Sequence, residues 1–148
     1  MPTLPRARLV LIDGVPATPR PEATDVKRDG ALPETVGERV PAIRDFKQRD
    51  PKDGAAPTFA TDVKVAYDAT NLYVAIRAHD PEPDKLVGLR TRRDTESSSD
   101  WLKIVVDSFH DRRTAFEFGV NPAGVKEDRA WSNDSNDDSG WDAVWDVA

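Results

Sequence analysis

Four tryptophans are the side chains of this sequence best suited to stacking on a flat ligand, and they stand at positions 101, 131, 141 and 145. An indole can stack on the C–H face of a sugar ring, so a surface pair would form a platform for carbohydrate. Trp131 and Trp141 flank a polar loop and are the best candidates for such a pair. The alternative is core packing, because tryptophan is mostly buried in folded proteins.

The polar loop between these two tryptophans, residues 132–140, offers metal-ligand chemistry. Its carboxylates Asp134, Asp137 and Asp138 are hard oxygen ligands of the kind that calcium takes. The spacing begins like an EF-hand loop, but Gly140 comes one position late and Trp145 stands where that loop has its bidentate glutamate. The alternative is a solvated loop tip with ordinary turn composition.

Arg93 and Asp100 stand at either end of another polar loop. A guanidinium fork can bind vicinal hydroxyls or carboxylates, including those of uronic acids, and the alternative is an exposed edge protected by charge. His110 beside Asp107 and Asp111 suggests metal binding or acid–base chemistry, but this group falls in a hairpin turn and no nucleophile motif accompanies it. The sequence therefore predicts a binding domain and not an enzyme.

Two consecutive hairpins, residues 62–80 and 101–120, must position these side chains. Both show apolar residues at every second position, which predicts half-buried strands. In the second hairpin one face carries an apolar set on each arm: Leu102, Ile104 and Val106, then Phe116, Phe118 and Val120. An isolated hairpin is marginal in water, so these faces must meet other sheet surface.

The remaining segments are short. We expect an amino-terminal extension over residues 1–27, with a short strand at residues 8–12 and a loose connection at residues 16–30, and a turn or short helix at residues 32–40. Further strands are predicted at residues 86–92 (an edge), at residues 125–131 and from residue 141 to the end of the chain. Short strands with little helix predict an all-β fold, an antiparallel β-sandwich of jelly-roll type that ends before its last strands.

The composition excludes several classes of protein. The 148 residues fit one domain, and the net charge of -6 argues against binding to nucleic acid or to an anionic membrane surface. The absence of cysteine excludes disulfides and Cys-ligated metal sites. No apolar run has the length of a membrane helix or of a signal-peptide core, so we expect neither in this chain.

The central part of the sequence resembles the family 9 carbohydrate-binding modules. The resemblance lies in the runs YDATNLYVAIRAHDPEP, RRD, SDWLKIVVDSFHDRRTAFEFGVNPAGV and WDAVW, and it covers residues 28–148. Within this family, the sequence is more similar to the family 9-like domain at the amino end of large bacterial outer-membrane proteins. Characterised members of the family are attached to xylanases. The resemblance implies a non-catalytic β-sandwich that binds poly- or oligosaccharide of the xylan or cellulose type, carries structural calcium and belongs to an exported protein.

The sequence departs from this family at its sugar contacts. Characterised modules hold sugar between two tryptophans, and the position matching the first is Ser97, three residues before Asp100. A sugar-binding carboxylate is replaced by Lys103, and an arginine by Gly119. We therefore place the expected contacts at Trp131, Trp141, Arg93 and Asp100. The alternative is a periplasmic or cell-surface interaction domain that precedes an outer-membrane β-barrel and packs on that following domain without binding sugar.

Overall fold

The computed structural model describes residues 18–19, 40–67, 69–133 and 135–148. In these residues the protein is all-β, as predicted, with seven strands in two sheets and no α-helix. The strands are β1 (Thr18–Pro19), β2 (Thr61–Tyr67), β3 (Leu72–Ala78), β4 (Leu102–Val106), β5 (Ala115–Val120), β6 (Lys126–Ser132) and β7 (Asn136–Asp138). The described part of the chain contains no helix long and apolar enough to cross a bilayer.

The chain divides into two compact units, and the first, residues 1–81, holds the sheet of order β1-β2-β3. β2 and β3 form the predicted first hairpin, with antiparallel register from Thr61↔Ala78 to Tyr67↔Leu72. β1 pairs with β2 in parallel, within residues for which the sequence predicted only a loose connection. The predicted strand at residues 8–12 lies outside the described residues, as does all of the predicted turn at residues 32–40 except Val40.

Apolar packing and the polar contacts of Asp62 connect the described residues of the first unit. Val40 and Ala66 are buried against each other, and Tyr73 packs on them. Arg44 Nε donates to Asp62 Oδ1 at 2.5 Å, and His79 Nε2 lies 3.0 Å from Asp62 Oδ2. The hydrogen bond with Arg44, and to a smaller extent the one with His79, lowers the pKa of Asp62 below its ordinary value.

The second unit, residues 82–147, holds an antiparallel sheet of order β4-β5-β6-β7. β4 and β5 form the predicted second hairpin, and β6 matches the strand predicted at residues 125–131 to within one residue. Successive side chains of a strand point to opposite faces, so the register assigns every side chain of this sheet to a face. Ile104, Phe118 and Asp128 share one face, and Lys103, Gly119 and Glu127 share the other.

Three predicted elements of the second unit are wrong. Residues 86–92 do not form a strand but follow a 3-10 turn at Pro83–Lys85. Their backbone bonds to side chains instead of a neighbouring strand: Val87 N–H donates to Asp100 Oδ2 at 2.8 Å, and Leu89 N–H donates to Ser99 Oγ at 2.9 Å. The predicted loop at residues 132–140 contains β7, and the predicted strand from residue 141 is an irregular segment.

Candidate functional site

The two faces of the four-stranded sheet carry different chemistry. One face, which we call the ionic face, is formed by Lys103, Glu117, Glu127 and Arg129, with Trp101 and Trp131 at its ends. The other, which we call the aromatic face, carries Phe116, Phe118 and Asp128 and is covered by residues 141–145.

Glu117, near the middle of β5, is the centre of the ionic face. Its Oε1 accepts a hydrogen bond from Lys103 Nζ at 2.9 Å, and its Oε2 accepts one from Trp131 Nε1 at 3.0 Å. Lys103 Nζ also forms an ion pair with Glu127. One carboxylate therefore links an ammonium group on β4 to an indole on β6.

Arg129 provides the second cation of the ionic face and contacts three carboxylates. Its Nη1 donates to Asp137 Oδ2 at 2.8 Å, its Nε lies 3.7 Å from Glu117 Oε1, and its Nη2 lies 3.8 Å from Glu127 Oε2. Each cation is thus shared among several acids. The net formal charge of this cluster is negative, because three carboxylates face two cations.

Burial differs sharply between the acids and the bases of the ionic face. The Glu117 and Glu127 side chains are 9% and 4% exposed, whereas those of Lys103 and Arg129 are 40% and 24% exposed. Burial by itself would lower the pKa of Lys103, but its hydrogen bonds to Glu127 and Glu117 outweigh burial and raise that pKa. Lys103 therefore keeps its charge beside these acids, and its side chain is partly exposed.

Gly119 is what allows Glu127 to lie across β5. A Cβ at this position would stand 2.6 Å from Glu127 Cγ and 2.9 Å from its Oε1. Real Cβ atoms do not approach other atoms so closely, so any side chain at position 119 would displace Glu127. A glycine in the interior of a strand otherwise weakens it, and here it marks the close approach of a neighbouring side chain.

Trp101 closes the other end of the ionic face, directly before β4. Its ring centroid lies 5.9 Å from Lys103 Nζ, which is cation–π distance, and its Nε1 donates to the Ser97 carbonyl at 3.4 Å. Trp101 and Trp131 are both half-buried. Each indole is therefore fixed at its nitrogen while part of its ring remains in solvent.

Asp128 organises the aromatic face, and its side chain is fully buried. It accepts hydrogen bonds from Arg93 Nε at 2.9 Å, from the Ala143 N–H at 2.6 Å and from Trp145 Nε1 at 3.4 Å. Burial would raise the pKa of this carboxyl, but the bonds from Ala143, Arg93 and Trp145 outweigh burial and lower it. We call Asp128, Arg93, Ala143 and Trp145 the clasp, because they attach the last segment to the sheet.

Three carboxylates meet beside the clasp: Asp94, Asp128 and Asp142, with one oxygen of each within 4.8 Å of the others. Arg93 lies among them, with Nε 3.5 Å from Asp94 Oδ2 and Nη2 3.4 Å from Asp142 Oδ1. Asp94 Oδ1 also accepts the Asp128 N–H at 2.9 Å. The Arg93 guanidinium is therefore the cation that these acids contact, and we assign no metal to them.

The structure separates the four predicted sugar contacts. Trp131 lies on the ionic face, whereas Trp141 stacks on Phe116 of the aromatic face with ring centroids 4.7 Å apart. Arg93 belongs to the clasp, and Asp100 bonds the backbone of Val87. Trp131 and Trp141 therefore do not form a common platform, and of the four predicted contacts only Trp131 lies on the ionic face.

The three predicted calcium ligands are also divided. Asp134 lies outside the described residues. Asp137 pairs with Trp131 in register and Asp138 with Ala130, so their side chains leave β7 on opposite faces. Asp138 Oδ1 accepts the Gly140 N–H at 2.9 Å, and Asp137 binds Arg129. These two carboxylates do not converge on one position, so the described donors do not fit a shared ion.

The ionic face could not be identified from the sequence. Its residues come together only through the pairing of β4, β5 and β6, and alternation within one strand does not give that pairing. The period of two places Trp101 and Lys103 on the face of β4 opposite Leu102 and Ile104. What it leaves open is that Gly119 pairs with Glu127 and that Ala115 pairs with Trp131. The sequence did show charged residues on the strand faces opposite the apolar residues. Such positions are typical of a solvent-exposed sheet face, so they did not indicate a site.

Comparisons with known proteins give no match: none among protein-family models, none among curated proteins and none among solved structures.

Proposed function

We propose that this domain is a non-catalytic carbohydrate-binding module that binds a neutral poly- or oligosaccharide of the xylan or cellulose type on its ionic face. The observation that carries the proposal is the bond between Trp131 Nε1 and Glu117, which fixes an indole beside a cluster of acids and bases. The resemblance to family 9 modules and the all-β architecture support it. The fold in the same proposal is of the jelly-roll type.

The chemistry of the ionic face suits hydroxyl groups. A sugar hydroxyl both donates and accepts hydrogen bonds, so it can insert between an ammonium donor and a carboxylate acceptor. Lys103 and Glu117 present such a pair, and hydrogen bonds to charged groups are stronger than those between neutral ones. An indole beside the pair can cover the apolar C–H face of the same sugar ring.

The charge balance favours neutral sugars over uronates. Lys103 and Arg129 are each shared among carboxylates of the protein, so neither offers an uncompensated positive charge. A uronate would approach a cluster in which acids outnumber bases and would be repelled. Arg93, which the sequence suggested as a uronate contact, is neutralised by the buried Asp128.

The proposal places the domain within a larger exported protein, at the cell surface, in the periplasm or secreted, where a linked glycoside hydrolase would supply catalysis. Structural calcium, which the resemblance implies, has no role in the contacts proposed for sugar.

Titration calorimetry with xylo-, cello- and uronate oligosaccharides tests the proposal. We expect binding of a neutral series and weaker or no binding of uronates. Trp131→Ala should weaken binding about tenfold while the fold persists by circular dichroism. Phe109→Ala is the matched control, because Phe109 is an aromatic side chain 72% exposed in the β4–β5 turn. Absence of heat with every sugar, or equal loss in both variants, would overturn the proposal.

A second candidate function is an interaction domain of an exported protein that binds no sugar. It is favoured by a run of apolar side chains near the start of the second unit: Leu86, Val87 and Leu89 are 46%, 45% and 47% exposed. Contiguous exposed apolar surface commonly marks a contact with another protein or domain. Concentration-dependent association in light scattering, abolished by Val87→Ser with Leu89→Ser, would support this candidate, and a monomer at all concentrations would oppose it.

A further inference from the structure

Trp101 and Trp131 stand at opposite ends of the ionic face, and their separation says how a sugar chain would lie. Trp101 directly precedes Leu102, which pairs with Val120 at one end of β5, whereas Trp131 pairs with Ala115 at the other end. The length of β5 is about 17 Å at 3.4 Å per residue. Trp101 precedes β4 and Trp131 lies on β6, so their backbones are also two strand positions apart. Their side chains reach toward each other over the face, and the rings are closer together than the backbones.

The space between the two indoles is filled with polar groups. Trp131 Nε1 bonds Glu117, Glu117 bonds Lys103, and Lys103 Nζ lies 5.9 Å from the Trp101 ring centroid. A continuous series of contacts therefore connects the two rings across the face. Two indoles held apart in this way cannot enclose one sugar ring between them, but they can stack on two different rings of one chain.

We infer that the ionic face binds an internal stretch of a glycan chain across the sheet, with Trp101 and Trp131 as two aromatic subsites and Lys103 with Glu117 binding hydroxyls between them. This inference rests on the proposed function and specifies its mode. Each subsite supplies stacking to one ring, and the middle supplies hydrogen bonds to the ring between. Neither chain end is needed, because the stacking and the hydrogen bonds all act on rings within the stretch that the two subsites span.

Affinity should therefore grow with the length of the sugar. A short oligosaccharide reaches one indole only, and a longer one reaches both. We expect the native protein to bind the oligosaccharide that spans both subsites at least about tenfold more tightly than a disaccharide. Still longer oligosaccharides should bind no more tightly. Oligosaccharides reduced with borohydride at one end should bind as well as unmodified ones, because an internal stretch is what the face contacts.

Single-site variants locate the two subsites. Trp101→Ala and Trp131→Ala should each weaken binding of the long oligosaccharide about tenfold and remove most of the gain with length. Trp101→Phe and Trp131→Phe keep a stacking ring if an alanine variant fails to fold. Trp141→Phe is the matched control, since its indole lies on the aromatic face and should leave binding unchanged.

The outcomes separate this inference from the proposed function. If the native chain binds no sugar of any length, both are overturned. If a disaccharide binds as tightly as the longest oligosaccharide, if reduction of the end abolishes binding, or if Trp101→Ala leaves the long oligosaccharide unaffected, the proposed function stands and this inference is overturned.

Discussion

The two faces of the four-stranded sheet hold carboxylates in opposite ways. On the aromatic face Asp128 is fully buried and bonds a backbone N–H, an indole N–H and a guanidinium. On the ionic face Glu117 and Glu127 bond mainly to the side chains of Lys103 and Arg129, which remain 40% and 24% exposed. The first arrangement is fixed at its backbone, and the second is made largely of groups that can rotate.

This difference teaches which polar cluster serves the fold and which can receive a ligand. A backbone N–H cannot turn away from Asp128 without moving the segment around Ala143, so a ligand would have to displace part of the chain. A lysine side chain can turn within its rotamers and exchange one carboxylate partner for a hydroxyl. Burial and charge are similar on the two faces, so neither property alone distinguishes a structural cluster from a binding one.

The largest effect should come from breaking the clasp. Asp128→Asn removes the charge of a carboxylate whose partners stay in place, and it leaves the Arg93 guanidinium without a buried counter-ion. Because Asp128 is buried but Arg93 is 36% exposed, we expect a loss of about 2 kcal/mol of folding free energy, between the values for exposed and buried ion pairs. Urea denaturation followed by tryptophan fluorescence would measure this loss.

Asp142→Asn is the matched control for the clasp. Asp142 contacts the same guanidinium at 3.4 Å, but its side chain is 74% exposed. An exposed ion pair contributes at most about 1 kcal/mol, so this variant should resemble the native protein. Equal destabilisation by the two substitutions would mean that the guanidinium, and not the buried carboxylate, is the centre of the clasp.

Gly119→Ala should produce the next largest effect, on the ionic face. The added Cβ would stand 2.6 Å from Glu127 Cγ, so Glu127 must leave its position beside Lys103. Overpacking of this kind costs about 1–2 kcal/mol. Chemical denaturation would measure the loss, and a native free energy of unfolding in this variant would mean that Glu127 moves aside freely.

A double-mutant cycle makes the Gly119 test specific. In a Glu127→Ala background the clashing atoms are absent, so Gly119→Ala should be neutral or slightly stabilising, because alanine loses less backbone entropy on folding. The same penalty in both backgrounds would assign the cost to the backbone of β5 and not to Glu127.

Acid should lower the free energy of unfolding by protonating Asp128 on the aromatic face. The folded-state pKa of Asp128 lies below its unfolded value, so the folded protein binds this proton more weakly than the unfolded chain. Its contribution to stability is therefore complete above the unfolded pKa of about 3.9 and is lost as pH falls through the folded pKa. The free energy of unfolding measured between pH 5 and pH 3 should fall less steeply for Asp128→Asn than for the native chain, and parallel curves would contradict this assignment.

The elements that sequence predicted well are those with a strict period of two. Residues 62–80 and 101–120 alternate over both arms, and both became hairpins. Residues 86–92 have apolar residues but bond to the side chains of Ser99 and Asp100, and no local pattern announces such partners. Likewise, Asn136–Asp138 has turn composition yet pairs with β6, because tertiary context overrides propensity in a short strand.

The candidate site was only partly predictable for a related reason. Trp131 could be singled out by residue type, but its neighbour Glu117 became visible only through the pairing of β5 with β6. Trp131 precedes the polar loop and Trp141 follows it, and this arrangement suggested that the two indoles form one platform. The intervening β7 strand and the clasp place Trp141 on the other face. Sequence proximity was the wrong guide here, because a sheet separates residues that are close along the chain.

Calcium should produce the smallest effect. Asp137 and Asp138 leave β7 on opposite faces, and the triad around Asp128 already surrounds Arg93. We therefore expect 5 mM calcium chloride to leave the thermal midpoint unchanged, measured against magnesium chloride at equal ionic strength. A site of millimolar affinity would instead stabilise the fold by about 1 kcal/mol at this concentration.

If the midpoint does rise, two variants locate the ion. Loss of the rise in Asp137→Asn but not in Asp142→Asn would place calcium at the β6–β7 turn, where it would have to replace the Arg129 guanidinium as the partner of Asp137. The reverse result would place it among the carboxylates of the clasp and would require Arg93 to leave Asp128. The second outcome would overturn the distinction between the faces, since the cluster fixed by backbone bonds would then be the one that exchanges its cation.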